Sequence, residues 1–198
     1  QEKRLFGDWY FLMLYAERGD PFEIKEAGGS FLFFLAHQAS TVLNMESLSI
    51  IRFLVCLSGV VFLVFLWKTM LLLFDSARER RLAMLFLCSG GFMLIFFGHI
   101  EIYGFLLAAV CAYIYFSFLF MQGKTNVAAP AVLLGISIWL HLSAVSLIPS
   151  LLYLILRRQK DEQSDKFGWK RLTKAGLFLI LPFALFLFSL QLAGYTEQ

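Results

Sequence analysis

The chain has 198 residues, of which 60% are apolar, 17% aromatic and only 16% charged, and its formal net charge is +3. Soluble domains are about 45 to 50% apolar and about 25% charged, so this composition excludes an ordinary water-soluble protein and indicates a polytopic membrane protein. The three cysteines lie inside apolar runs, which excludes a disulfide scaffold and a cysteine-rich metal site. Long apolar stretches separate the basic residues, so we expect membrane lipids and no nucleic acid among the partners.

Residues 1–47 predict an outer loop that carries juxtamembrane helices. The pair Gly28-Gly29 is typical of a loop. The apolar part of this segment, Phe31 to Leu43, has roughly 13 residues, whereas a transmembrane helix needs about 20. We therefore expect an interfacial or re-entrant helix there.

Residues 48–198 predict an all-α transmembrane bundle of about six spans. The candidate spans lie near 48–74, 82–97, 102–121, 127–140, 142–156 and 175–193. Lys and Arg concentrate in the cytoplasmic loops of membrane proteins. They occur here near Arg78, Lys124 and Arg157, which predicts that these three loops lie inside.

The block 127–156 predicts a short hairpin, because one helix of about 30 residues would be about 45 Å long against a hydrocarbon core of about 30 Å. Both of its flanks are predicted inside, so the chain should turn back near His141 to Ser143. Arms of about 14 residues reach only about 21 Å, and the span 82–97 reaches about 24 Å before Gly98. We therefore expect two sunken outer turns, which lipid permits only where protein or a water-filled cavity covers the backbone.

Small residues at helical spacing predict close packing between spans. Gly104, Ala108 and Ala112 recur at every fourth position, and Ala131 and Gly135 repeat the spacing. Such stripes let helix backbones approach closely. They serve contacts within and between chains equally well, so they specify no oligomeric state.

Glu101 is the strongest candidate for chemistry, because an ionisable group flanked by two spans is costly unless it lines a cavity or meets a partner. His99 lies two residues before it, and the flanking Gly98 and Gly104 allow the backbone to turn so that the two side chains meet. A solvated interfacial turn is the alternative interpretation of Glu101.

Three further polar residues are candidates, and two of them have a purely structural alternative. Asp8 precedes the apolar stretch Tyr10 to Leu14, where it serves equally well as a helix N-cap. His141 follows Trp139 at the tip of the hairpin, and a lone His in an apolar setting is more often a satisfied structural group than a ligand. Glu26 caps or lines the outer loop.

The sequence contains no hydrolase elbow, phosphate loop, dinucleotide fingerprint or zinc-helix motif. What remains is an outer cavity with carboxylates and imidazoles. A carboxylate there can act as a general base toward a hydroxyl, and a second carboxylate with a His can hold a divalent cation or a phosphate-bearing leaving group.

This arrangement resembles the membrane-embedded glycosyltransferases of the C superfamily, which take a sugar from a polyprenyl-phosphate donor. The resemblance rests on the Gly7-Asp8 loop with its juxtamembrane segment, on the turn from Gly98 to Tyr103, and on the hairpin that carries His141 to Ser143 and Pro149.

The resemblance implies an inverting transferase in which Asp8 deprotonates the acceptor hydroxyl. It also implies that His99 and Glu101 bind either Mg or Mn or the donor phosphate. The substrate-binding residues would be His99, Glu101, Tyr103, His141 and Glu26. Family members have spans before and after this region, so we expect a fragment that is inactive alone. We expect it in a bacterial inner membrane with its site facing the periplasm.

Two other functions are compatible with the sequence. A transporter or lipid flippase would use Glu101 and His141 as a proton-linked pair in an outer cavity. A non-catalytic assembly subunit would use Glu101 and Asp8 only as turn and cap residues.

Overall fold

A computed structural model describes residues 26–97, 100–161 and 169–192, together with Leu14 and Glu17. All secondary structure in these ranges is helical. The α-helices are α1 (Ala27–Leu43), α2 (Ser47–Leu73), α3 (Ala77–Cys88), α4 (Tyr103–Met121), α5 (Ala128–Leu140), α6 (Ile148–Asp161) and α7 (Trp169–Leu192), and 3-10 helices span Gly91–Phe96 and Leu142–Leu147.

Among the described residues, three helices are long and apolar enough to cross a membrane. They are α2, α4 and the Trp169–Phe188 part of α7. The predicted all-α class is therefore confirmed for the described residues, and the three helices support the predicted membrane class. Two shorter helical stretches, α5 and Leu142–Arg157, are also apolar, and their position in the membrane stays a prediction.

The segment 82–97, predicted as one span, is not a single helix. α3 begins before this segment and ends at Cys88, and the first 3-10 helix follows separately. The Ser76 hydroxyl starts α3 by accepting a hydrogen bond from the Arg78 backbone N–H at 3.2 Å. The short reach expected of 82–97, and the sunken turn after it, stay predictions.

The Gly28-Gly29 pair, predicted as a loop, lies in the first turn of α1, which starts at Ala27 rather than near Phe31. Instead of forming a turn, these glycines let α1 approach its neighbours closely. A Cβ atom added to Gly28 would lie 2.7 Å from the Trp139 ring. The first turn of α1 therefore packs directly against Trp139.

The helix α1 lies across the ends of several other helices. Its first turn contacts the end of α5, and farther along Phe33 and Ala36 are buried together with Ile51 and Val55 of α2. A helix that crosses several neighbours in this way suits the predicted juxtamembrane position. That position itself stays a prediction.

The helices α2 and α4 run side by side in the same direction. Gly104 near the start of α4 lies against Val55, and the Cys111 thiol farther along lies 3.7 Å from the Phe62 carbonyl oxygen. The segment that contains α3 and the first 3-10 helix returns the chain from the end of α2 to the start of α4. The three stretches thus traverse the bundle in alternate directions.

The chain reverses direction at His141, which is extended between α5 and the second 3-10 helix. After the reversal, the Ser150 hydroxyl of α6 lies 2.6 Å from the Tyr113 hydroxyl of α4. Farther along the same two helices, Leu154 and Met121 line one cleft. The helix α6 therefore runs parallel to α4 and antiparallel to α5, so the predicted fold-back near His141 is present.

Both predicted small-residue stripes lie at helix interfaces, which confirms their packing role. Ala108 and Ala112 are buried, and a Cβ added to Gly104 would touch α2. A Cβ added to Gly135 would overlap the Leu179 carbonyl oxygen of α7. The backbones of α5 and α7 are therefore in direct contact.

We expect Gly135→Ala to lower the free energy of unfolding by about 1 to 3 kcal/mol, because the added methyl group forces α5 and α7 apart. Gly176→Ala in α7 is the matched control, since no atom lies within 4 Å of a Cβ added there. That variant should be neutral or slightly stabilising. Thermal unfolding of both variants in the same detergent measures the effect, and equal midpoints would contradict the α5–α7 interface.

Candidate functional site

One end of the bundle brings together the start of α1, the start of α4 and the end of α5, and we call it the Glu26 end. The helix directions place it opposite the basic loops near Lys124 and Arg157. Three of the predicted substrate-binding residues, Glu26, Tyr103 and His141, lie here. They are distant from one another in the sequence, so tertiary packing creates the cluster.

The Glu26 carboxylate and the His141 imidazole form a partly buried pair. His141 Nε2 lies 3.2 Å from Glu26 Oε1, and the side chains are 18% and 15% exposed. His141 Nδ1 accepts a hydrogen bond from the Ser143 backbone N–H at 3.1 Å. Because an accepting Nδ1 carries no hydrogen, the ring hydrogen lies on Nε2 and is donated to Glu26. One imidazole thus caps the second 3-10 helix and binds a carboxylate.

The Tyr103 ring lies beside this pair. Its centroid is 5.4 Å from that of His141, and the ring planes are tilted by 38°. The residue is 44% exposed, so a bound molecule can contact part of its surface. The Glu26 end therefore combines an accessible aromatic ring with a carboxylate and an imidazole that form hydrogen bonds.

Two glycines allow Glu26 to reach this position. A Cβ on Gly28 would lie 2.8 Å from the Trp139 carbonyl oxygen, and a Cβ on Gly29 would overlap the Ile102 side chain. Larger residues at either position would push the start of α1, and Glu26 with it, away from the imidazole. The close approach of α1 is thus a condition for the pair.

Three aromatic rings support the cluster from within the bundle. Phe31, Trp139 and Phe186 belong to α1, α5 and α7, and their centroids are separated by 5.5 to 6.0 Å. They line an apolar cleft of about 340 Å³ between these helices. The Trp139 indole nitrogen is buried and has no hydrogen-bond partner among the described residues.

The helix ends also contribute electrostatically. Both α1 and α4 begin at the Glu26 end, and neither has an acidic residue in its first turn or a side-chain cap. The backbone N–H groups of a helix start carry a partial positive charge that favours anions. This charge opposes that of the Glu26 carboxylate, so the site is not uniformly acidic.

Glu101 lies two residues before Tyr103, in a turn that is anchored by two buried neighbours. Ile100 and Ile102 are 7% and 2% exposed and pack with α1 and α2, whereas Glu101 is half-buried. His99 and Asp8 lie outside the described residues. The pairing of His99 with Glu101 and the role of Asp8 therefore stay predictions.

The predicted Mg or Mn site was assigned to Glu101 and His99. Within the ranges that the structure describes, no three His, Cys, Asp or Glu side chains gather in a possible metal-binding group. Because His99 is outside those ranges, the metal assignment stays a prediction.

Two residues that organise the site were not predicted as part of it. Gly28 and Trp139 set the distance between α1 and α5. The available signal was a glycine doublet that follows Glu26 almost directly and a Trp two residues before His141. Nothing in the sequence connects the two signals, because the contact between them is tertiary.

Comparisons with known proteins identify no relative. No family model, curated protein or solved structure matches the chain. The resemblance to C-superfamily glycosyltransferases therefore rests on the sequence motifs, and the side chains at the Glu26 end carry the functional proposal.

A double-mutant cycle tests the pair. We expect Glu26→Ala and His141→Ala to show a coupling free energy of about 1 kcal/mol in unfolding, because each variant alone removes one partner of a partly buried hydrogen bond. The control cycle combines Glu26→Ala with His37→Ala, since His37 lies 3.3 Å from the Ser47 hydroxyl instead. The control coupling should be near zero, and equal couplings in the two cycles would refute the pair.

Proposed function

We propose that this protein transfers a sugar from a polyprenyl-phosphate donor to an acceptor hydroxyl, with inversion, on the non-cytoplasmic face of the membrane. The observation that carries the proposal is the convergence of Glu26, Tyr103 and His141 at one end of a helical membrane bundle. An aromatic face packs against the apolar face of a sugar ring, while a carboxylate and an imidazole form hydrogen bonds with its hydroxyl groups.

The basic loops support the orientation of the site. Lys124 and Arg157 are exposed. Lys124 follows the end of α4 and Arg157 lies near the end of α6, and both of these helix ends lie opposite the Glu26 end. Basic loops face the cytoplasm in membrane proteins. The Glu26 end would then face the periplasm if the protein belongs to a bacterial inner membrane.

In the proposed reaction Asp8 is the base. The acceptor hydroxyl gives its proton to the Asp8 carboxylate, and its oxygen forms a bond to the anomeric carbon of the sugar. The bond from that carbon to the phosphate oxygen breaks at the same time, and polyprenyl phosphate leaves with the electron pair. One displacement inverts the anomeric configuration, and Glu26 with His141 orients the sugar for it.

The proposed place of the donor phosphate is beside His99 and Glu101, which precede α4. A Mg or Mn ion held by these two residues would neutralise charge on the leaving phosphate.

The apolar cleft beside the Glu26 end suits the lipid part of such a donor. It lies next to Trp139, two residues before His141, and is lined by apolar side chains of α1, α5 and α7. A lipid-linked substrate needs a polar site for its head and an apolar surface for its chain. The two lie side by side at this end.

A transporter is the second candidate, because a carboxylate–imidazole pair can also carry protons. Ionisable pairs in membrane proteins often belong to proton-linked pathways. In this chain the pair would be Glu26 with His141. A transporter moves its substrate across the membrane unchanged, whereas a transferase forms a new glycosidic bond.

The full-length protein in vesicles, incubated with a radiolabelled polyprenyl-phosphate sugar and a hydroxyl acceptor, tests the reaction. We expect Asp8→Asn to lower the rate of label transfer by about 100-fold or more, because the general base is lost. Asp75→Asn, at an exposed site between α2 and α3, is the control and should retain activity. Full activity of Asp8→Asn would remove Asp8 from the base role, and movement of unchanged label across the membrane would favour the transporter.

Tyr103→Ala tests the described part of the site. We expect the KM for the donor to rise up to about tenfold with little change in kcat, since a stacked aromatic contact is worth about 0.5 to 1.5 kcal/mol. Phe86→Ala in α3 is the control, because its side chain is 78% exposed and distant from the site. A KM that rises equally in both variants would count against sugar binding by Tyr103.

A further inference from the structure

A second cleft lies between α4 and α6, in the half of the bundle toward the basic loops. Its volume is about 270 Å³. The lining includes Tyr113, Ser117, Met121, Ser150, Tyr153 and Leu154. Most of this surface is apolar, and the polar exceptions are hydroxyl groups, so the cleft suits an amphipathic molecule rather than water alone.

Two of the hydroxyl groups are already engaged. The Ser150 hydroxyl donates to the Leu147 carbonyl oxygen at 2.6 Å, so its hydrogen is used. The Tyr113 hydroxyl, 2.6 Å away, must therefore donate to Ser150. This short chain of hydrogen bonds fixes the register of α4 and α6 and leaves the Ser117 hydroxyl as the remaining donor at the buried wall.

Ser117 is 8% exposed, and its hydroxyl oxygen is buried without a hydrogen-bond partner among the described residues. A buried hydroxyl without a partner is costly, and native structures rarely retain one. The residue lines the cleft. An acceptor atom of a bound molecule would satisfy it.

The end of this cleft toward the basic loops is cationic. Arg157 lies one helical turn beyond Tyr153 and donates to its hydroxyl at 3.1 Å. Because Ser150 lies opposite Tyr113 on parallel helices, Ser117 lies near the level of Leu154, about 4.5 Å along the axis from Arg157. A positive charge, an unpaired donor and an apolar channel thus follow one another in that order.

We propose that this cleft binds one anionic glycerophospholipid of the cytoplasmic leaflet. Its phosphate lies at Arg157, an ester carbonyl oxygen accepts a hydrogen bond from Ser117, and part of one acyl chain fills the apolar channel. The order of groups in the lipid matches the order in the cleft. The cytoplasmic leaflet supplies anionic lipids, which attract basic residues at the membrane surface. The site is separate from the Glu26 end and independent of sugar transfer.

The test reconstitutes the full-length protein in phosphatidylcholine vesicles with a trace of phosphatidylglycerol that carries a photoactivatable group in its acyl chain. Mass spectrometry then maps the cross-linked residues. We expect cross-links concentrated on the faces of α4 and α6 that line the cleft, about fivefold above those of the matching phosphatidylcholine probe. Equal labelling by the two probes, or labelling spread evenly over the apolar surface, would overturn the proposal.

Two variants identify the contacts. Arg157→Gln should remove the preference for the anionic probe, a loss of about fivefold, and Ser117→Ala should reduce cleft labelling severalfold. The controls are Arg78→Gln at the start of α3 and Ser137→Ala, whose hydroxyl is already bonded to the Leu133 carbonyl oxygen. Controls that lose as much labelling as the test variants would refute the assigned contacts. Circular dichroism measures helix content and identifies any variant that fails to fold. The cross-linking pattern of the unmodified protein tests the proposal even if a variant does not fold.

Discussion

The close packing of the first turn of α1 against α4 and α5 is the constraint on which the Glu26 end depends. Gly28 meets Trp139 and Gly29 meets Ile102, at separations that leave no room for a Cβ atom. Because α1 continues across to α2, the same helix joins three others at one end of the bundle. The carboxylate that precedes α1 is therefore held in place by this packing.

The reversal of the chain at His141 shows why a structural and a functional interpretation of this residue are compatible. A helix that ends within a membrane bundle must satisfy its free backbone groups internally. The His141 N–H bonds to the Ser137 carbonyl oxygen, and the imidazole Nδ1 accepts from Ser143. The same ring then presents Nε2 to Glu26. Nδ1 caps the turn and Nε2 binds Glu26. Capping the turn therefore orients the ring so that Nε2 can bind a carboxylate or a ligand.

The parts of the fold that depend on local properties could be predicted from the sequence. Hydropathy and length identified α2, α4 and α7, and small-residue spacing identified the packed faces of α4 and α5. The interruption between α3 and the first 3-10 helix was not predicted, because the residues on both sides of it within 82–97 are mostly apolar and hydropathy does not register a change of helix type. The loop assignment of Gly28-Gly29 was wrong for a related reason, since a glycine used for close approach looks the same in sequence as one used for a turn.

The site was predicted residue by residue but not as an arrangement. Glu26, Tyr103 and His141 were each named, yet Glu101 was expected to be the main partner of the imidazoles. The pairing of Glu26 with His141 depends on how α1 crosses α5, and no sequence pattern encodes that crossing. Spacing along the chain can suggest partners only within one turn or helix, as it did for His99 and Glu101.

The charges at the Glu26 end constrain how a sugar phosphate could bind there. With Nδ1 accepting from Ser143, the neutral His141 leaves a net negative charge on the pair with Glu26. A phosphate beside that carboxylate would be repelled, and the repulsion is strong where water is largely excluded. Sugar hydroxyls are neutral donors and suit the carboxylate. The electrostatics therefore favour the sugar, rather than the donor phosphate, beside Glu26.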